Sequence, residues 1–144
     1  TARLCAKRGV FSPETAARLE TMEKFDLRSV GEFFEGKSLR ELPGLTAEDA
    51  AALRQIMDRL YERAARLVAV SIGCVLCRTN QGRDPKRPAC VTMEGTTFRK
   101  SAVFRDHFFR LCKTYLNGTL GVYPVFLECE DTTLTGTAIA GLLN

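Results

Sequence analysis

Two segments of the chain combine residue types that could hold the phosphate or ribose group of a ligand. They span residues 89–98 and 125–138, and each is an apolar, β-rich run that stops at an acidic residue before small and hydroxyl residues. A strand that ends in a turn of glycine and threonine leaves backbone N–H groups and hydroxyls free at the edge of a sheet. Both segments therefore predict a ligand-binding edge at the carboxyl ends of two strands.

The other reactive residues favour neither a metal site nor a redox site. Among six cysteines, Cys74 and Cys77 form a C-x-x-C pair near the end of a predicted helix, and His107 is the only histidine. A zinc or redox site needs such a pair at a helix start or beside further ligands. We therefore expect buried thiols that pack like small apolar residues, and a histidine on a helix surface without a catalytic partner.

Helices dominate the part of the chain before these segments. Ser12 and Pro13 predict the start of a short helix, and a second short helical segment covers residues 26–34. Thr46 caps a long helix predicted over residues 46–78, with Asp49 placed for a capping box. Apolar residues keep helical spacing along this helix at Leu53, Ile56, Met57, Leu60, Ala64, Leu67 and Val68. From Leu67 onward the helix is apolar on nearly all sides, which predicts that this half is buried.

The second half of the chain has the pattern of a β-α-β-α unit. We expect, in order, a strand over 90–93, a turn at 94–95, a short return strand over 96–98, a helix from 101 to 117 with Phe104, Phe108, Leu111, Cys112 and Tyr115 buried, a strand over 122–128 and a helix over 136–143. A strand, a crossover helix and a second strand predict parallel pairing. Since independent sheets usually have about five strands, we expect the sheet of this chain to be incomplete.

Length and composition limit the classes of protein that fit. The chain has 144 residues, 45% of them hydrophobic, and a net charge of +4. These values predict one folded domain with a core, and the charge is too small to indicate a nucleic-acid-binding protein. No apolar run is long enough for a membrane span and no signal peptide is visible, so we expect a cytoplasmic protein. The start without Met favours a piece of a longer chain or a processed start.

Taken together, these segments resemble the C-terminal part of the large domain of hexokinases. Residues 93–101 are similar to the family's strand end, D-G-S/T turn, aromatic residue and basic step. Residues 130–138 are similar to its E-D-G-S-G-x-G-A-A turn, residues 66–70 to its R-S/A-A helix, and residues 19–25 to a segment with a threonine near the nucleotide. The resemblance covers most of the chain and is better after Thr46 than before it.

The resemblance implies an α/β fold that is part of a ribonuclease H-like (actin-like ATPase) domain. It implies one domain with a helical and irregular segment over 1–45, the long helix over 46–78 and an adenosine-side β-α-β-α unit over 89–144. In the whole enzyme the γ-phosphate of ATP, with Mg²⁺, moves to the 6-hydroxyl of a hexose. The residues that the resemblance places near the nucleotide are Thr21, Gly95, Thr96, Thr97, Lys100, Thr133 and Gly136.

Departures from the family pattern predict a divergent, bacterial hexokinase. Glu94 stands where the family has Asp, and Thr132 and Leu134 replace two glycines of the second turn. The sugar-binding residues, the aspartate base and the phosphate loops have no match, and in the order of the family they would precede Thr1. Phosphoryl transfer depends on those parts, so the resemblance implies that this chain is inactive by itself and works with the remainder of a parent chain.

Two alternatives stay open from the sequence. Residues 39–53 resemble half of a helix-hairpin-helix motif, which binds the phosphate backbone of DNA through glycine-rich hairpin amides. The motif expects a second glycine where Thr46 stands, so nucleic acid is an improbable partner. The other alternative is a regulatory or scaffolding domain derived from a kinase fold.

Overall fold

A computed structural model of the chain describes residues 1–128, 137–139 and 141–142, without the side chains of Thr96 and Thr97. The chain divides into two compact units, Thr1–Ala64 and Ala65–Asn144, which are described separately. The elements are α1 (Ala2–Lys7), α2 (Pro13–Thr21), α3 (Leu27–Phe34), α4 (Ala47–Thr79), β1 (Ala89–Met93), α5 (Thr96–Lys100), α6 (Ala102–Leu111), a π-helical turn (Cys112–Asn117) and β2 (Pro124–Glu128).

The predicted helix starts of the N-terminal unit are confirmed by their caps. The Ser12 hydroxyl accepts a hydrogen bond from the Thr15 N–H at 3.4 Å, and Pro13 opens α2. The Thr46 hydroxyl accepts from the Asp49 N–H at 3.1 Å at the start of α4. Both caps satisfy amides that the helix itself leaves without partners.

Asp49 also joins two helices through its side chain. The carboxylate accepts from the Ser12 N–H at 2.9 Å, from the Ser12 hydroxyl at 2.5 Å and from the Thr15 hydroxyl at 2.7 Å. The Ser12 hydroxyl, followed by the Ser12 N–H and Thr15, holds the pKa of this carboxyl below its usual value. The start of α4 is thereby fixed to the start of α2.

The N-terminal unit has its own hydrophobic core. Its buried residues are Ala6, Phe11, Leu19, Val30, Phe33, Leu39, Leu42, Leu53 and Met57. Leu39 and Leu42 come from the loop between α3 and α4, which is also held by polar contacts. The Glu41 carboxylate accepts from the Asp26 N–H at 2.8 Å and from the fully buried Ser29 hydroxyl at 2.7 Å.

The prediction that the second half of α4 is buried on all sides is wrong. Leu67 is 61% exposed and Val75 is 60% exposed. The buried positions in this half are Ala65, Ala69, Gly73 and Leu76, so Ala64, Leu67 and Val68 are not core positions. Small residues occupy this buried face because the packing against it is close. A Cβ on Gly73 would lie 2.8 Å from Leu120 Cδ1 and 3.0 Å from Leu116 Cδ2.

The C-terminal unit confirms the predicted α/β class and the parallel strand pair. β1 and β2 pair in parallel, from Ala89 opposite Pro124 to Met93 opposite Glu128. α5, α6 and the π-helical turn form the connection between the strands, and residues 137–139 and 141–142 after β2 are helical. On one face of this sheet Cys90, Thr92, Val125 and Leu127 are exposed, with Val125 at 46% and Leu127 at 48%.

Two details of the connection differ from the sequence-based expectation. Residues 96–98 form the start of α5 rather than a return strand. The helix predicted over 101–117 is α-helical only to Leu111 and continues as the π-helical turn, in which Leu116 is fully buried while Tyr115 is only half-buried. The wider turn changes which side chain faces the core, a change that regular 3.6-residue spacing does not predict.

Candidate functional site

The two strands that precede the predicted ligand-binding turns end at the same edge of the sheet. Parallel pairing places Met93, the last residue of β1, opposite Glu128, the last residue of β2. The first turn follows at Glu94 and Gly95. The second begins after Glu128, and its residues 129–136, including the predicted contacts Thr133 and Gly136, lie outside the described residues. The carboxyl ends of β1 and β2 therefore lie at one edge of the sheet. Open α/β sheets bind their ligands at such an edge.

Gly95 gives the first turn its shape. Its φ is +126°, a conformation that residues with a Cβ rarely adopt, and no atom lies within 4 Å of the position that a Cβ would take. The Gly95 carbonyl accepts from the Arg99 N–H at 3.3 Å, which continues the turn into α5. The backbone here is exposed and open to close approach by a ligand.

A cluster of phenylalanines anchors α5 and positions the turn. Phe98 is buried, and its ring lies edge-on to the rings of Phe104, Phe108 and Phe109 at centroid distances of 6.2, 5.8 and 5.9 Å. Phe126 of β2 packs on Phe108 at 5.1 Å. Edge-on pairs of this kind add to the stabilisation from burial. The cluster connects the turn directly to the core of the C-terminal unit.

The basic step at the end of α5 is held by a residue that the sequence does not indicate as part of the site. The Arg105 guanidinium donates to the Phe98 carbonyl at 3.2 Å and also to the Arg99 carbonyl, so it satisfies the end of α5. Ser101 caps α6 through the Phe104 N–H at 3.2 Å, as predicted. Lys100 is exposed at this junction. An arginine a few residues beyond a short helix is the sequence signal for such a C-terminal partner.

Four of the predicted site residues lie in one continuous segment of the chain. Gly95, Thr96, Thr97 and Lys100 follow one another in the turn and α5. Thr21 belongs to the N-terminal unit, where its hydroxyl donates to the Arg18 carbonyl at 3.1 Å at the end of α2. That bond is the ordinary contact of a helix-end hydroxyl, and a nucleotide contact by Thr21 stays a prediction.

The remaining reactive groups are placed as follows. Cys74 and Cys77 lie in the last turns of α4, where Cys74 is exposed and Cys77 is half-buried. Cys112 is buried, and this burial raises the pKa of its thiol to about 12. His107 Nδ1 lies 2.8 Å from the Arg110 guanidinium. In the described part of the chain, no three His, Cys, Asp or Glu side chains are grouped to hold a metal ion. No helix among the described residues is long and apolar enough to cross a membrane.

The fold and the site define an α/β protein whose parallel strands end at a common edge, with a glycine turn leading into a short helix. The family model described as hexokinase matches residues 3–143. The chain therefore belongs to the hexokinase family. Neither curated proteins nor solved structures yielded a match. The family match favours the kinase interpretation over the helix-hairpin-helix alternative for residues 39–53.

Proposed function

We propose that the chain supplies the adenosine side of the nucleotide site of an ATP-dependent hexose kinase. The whole enzyme transfers the γ-phosphate of ATP to the 6-hydroxyl of a hexose such as glucose, at the entry to glycolysis in the cytoplasm. The single observation that carries the proposal is the open Gly95 turn at the carboxyl end of β1, in a chain of the hexokinase family.

Residues 95–100 would contact the nucleotide. The open space beside Gly95 fits a phosphate or ribose oxygen that approaches the backbone closely. The N–H groups of Gly95, Thr96 and Thr97 would bind these oxygens, and the Lys100 ammonium would add positive charge. ATP, bound with Mg²⁺, supplies the phosphoryl group. Thr21, Thr133 and Gly136 are proposed to complete the adenosine side.

The proposal also states that residues 1–144 do not catalyse phosphoryl transfer alone. The sequence carries no match to the sugar-binding residues or phosphate loops of the family, on which positioning of the phosphoryl group depends. The exposed sheet face with Val125 and Leu127 supports a role beside further parts of a parent protein, because parallel sheets are normally covered on both faces. The remainder of the parent chain and a hexose are therefore the proposed partners.

Calorimetric titration of Mg·ATP into the chain tests the site. We expect weak binding by the wild-type chain and no detectable binding by Gly95→Val, since a β-branched residue is strained at φ +126° and its side chain occupies the open space. Gly121→Val is the matched control: Gly121 also has a positive φ, +59°, with open space around it, and lies in the same unit outside the turn.

Both variants must retain the wild-type circular dichroism spectrum for the comparison to hold. Unchanged ATP affinity in folded Gly95→Val would remove the turn from the nucleotide site. Equal loss of affinity in folded Gly121→Val would likewise argue against a specific role for Gly95.

A further inference from the structure

The N-terminal unit contains an apolar cavity, and none of the residues that line it is among the proposed nucleotide contacts. Its volume is about 290 Å³, and it lies between the start of α1, the end of α2, residues 22–25 and one face of α4. Small-molecule pockets typically have volumes of about 300–1,000 Å³. The cavity therefore suits a ligand at the small end of that range.

The walls of the cavity are aliphatic, aromatic and thioether side chains. Leu19, Leu53 and Met57 are buried core residues that also line it, so this part of the wall is fixed by the packing of the unit. Met22 and Phe25, from the segment after α2, also line the cavity. Methionine adapts its shape readily to irregular apolar ligands. The interior therefore favours an apolar body without hydrogen-bonding groups.

The rim of the cavity carries more positive than negative charge. Arg3 and Lys24 lie there with a single acidic residue, Glu23, and all three are exposed. The Arg3 guanidinium donates to the Met22 carbonyl, which holds this cation beside the opening. Within the described part of the chain, Lys24 has no ion-pair partner. The rim can therefore pair with an acidic group whose apolar part enters the cavity.

We propose that this cavity binds a small amphipathic anion, namely an aliphatic carboxylate whose chain lies among Leu19, Met22 and Met57 and whose acidic group faces Lys24 and Arg3. An uncharged ligand of equal length loses the contact with the rim. An alkyl ammonium meets two cations against one carboxylate and is disfavoured. All the residues that line the cavity belong to the N-terminal unit.

Ligand-observed NMR titration of the intact chain with butanoate, hexanoate and octanoate tests the apolar part. Each methylene moved from water into an apolar site strengthens binding by up to about fourfold. We expect octanoate to bind about tenfold more tightly than hexanoate and butanoate not to bind measurably. Absence of saturable octanoate binding, or affinity independent of chain length, would overturn the proposal.

The charge of the rim is tested with Lys24→Glu and with Lys7→Glu as the matched control. Both lysines are exposed in the N-terminal unit, and only Lys24 lines the cavity. We expect Lys24→Glu to weaken octanoate binding about fivefold to tenfold and to leave octanol binding unchanged, while Lys7→Glu changes neither. Equal effects of Lys24→Glu on octanoate and octanol would contradict the rim contact.

Competition separates this site from the nucleotide site. The proposal expects saturating Mg·ATP to leave octanoate affinity unchanged. Displacement of octanoate by ATP would overturn the assignment and would show that the cavity belongs to the nucleotide site. If ATP does not bind at all, this result contradicts the proposed nucleotide site. The octanoate titration still tests the cavity in that case.

Discussion

At the scale of individual residues, the carboxylate of Asp49 joins the start of α4 to the start of α2. It accepts hydrogen bonds from both donors of Ser12 and from the Thr15 hydroxyl while its own N–H donates to Thr46. The residue is buried, so these bonds replace water that the ionised carboxylate would otherwise bind. The start of α4 therefore depends on the ionised form of Asp49.

Replacing Asp49 by asparagine should destabilise the N-terminal unit. An amide offers one acceptor oxygen in place of two, and loss of a hydrogen bond to a charged group costs about 1.5–3 kcal/mol. Chemical denaturation of Asp49→Asn measures this loss in the free energy of unfolding. Glu48→Gln is the control, because Glu48 lies in the same first turn of α4 but is exposed. A loss no larger than that of Glu48→Gln would contradict this role.

The same residue predicts a pH dependence of stability. Hydrogen bonds from Ser12 and Thr15 lower the pKa of Asp49 in the folded chain, whereas in the unfolded chain it has the ordinary value of about 3.9. Its contribution to the free energy of unfolding is thus complete above about pH 4 and is lost as the pH falls through the folded pKa. Thermal melts from pH 6 to pH 2 should show a steeper decline for wild type than for Asp49→Asn. Parallel declines would contradict the assignment.

At the scale of elements, features that depend on local signals, such as helix caps, were predictable from the sequence. Features that depend on long-range packing were not. Ser12, Thr46 and Ser101 were found as caps because a cap and the amide that it binds lie within three residues of each other. The sequence predicts a strand over residues 96–98, where α5 begins, because Thr96, Thr97 and Phe98 favour β structure. The rings that bury Phe98 come from α6, and no local pattern indicates that contact.

The same limit applies to the long helix and to the candidate site. The bounds of α4 follow from its cap and periodicity, but the face that is buried depends on the π-helical turn, whose Leu116 packs on Gly73. The common edge of β1 and β2 was predictable because parallel pairing follows from chain order. The hydrogen bonds from Arg105 to the end of α5 were not predictable, because the sequence predicts a strand over residues 96–98 and so no helix end for an arginine to bind.

Gly73→Val should therefore destabilise the C-terminal unit. A Cβ at this position meets Leu120 at 2.8 Å and Leu116 at 3.0 Å, and overpacking of this kind typically costs about 1–3 kcal/mol. Ser71→Val introduces the same residue at an exposed position of the same helix and is the control. Equilibrium denaturation compares the two variants. Equal stability of Gly73→Val and Ser71→Val would show that the close contact is not important.

At the scale of the whole molecule, the parallel strand pair and the family match lead to the same interpretation. β1 and β2 are covered on one side by the phenylalanine cluster, while Val125 and Leu127 on the other side are exposed. A sheet with this exposure fits one part of a larger α/β domain. The family match over residues 3–143 gives the kind of domain.

The proposal predicts that the purified chain has no sugar kinase activity. ADP formation from ATP should be the same with and without glucose, because the groups that position the sugar and the γ-phosphate are not among the family features of this chain. A coupled ADP assay measures this, with a complete hexokinase as the positive control. Glucose-dependent ADP formation by residues 1–144 would contradict the proposal that this chain does not catalyse phosphoryl transfer alone.

The central claim is that the Gly95 turn contacts the nucleotide, and mapping of backbone amide resonances during a Mg·ATP titration tests it most directly. The account predicts that the amides of residues 95–97 shift in a saturable way, while the amide of Gly121, which also has a positive φ and open space at its Cβ position, does not. Saturable shifts elsewhere in the chain, with residues 95–97 unaffected, would contradict it.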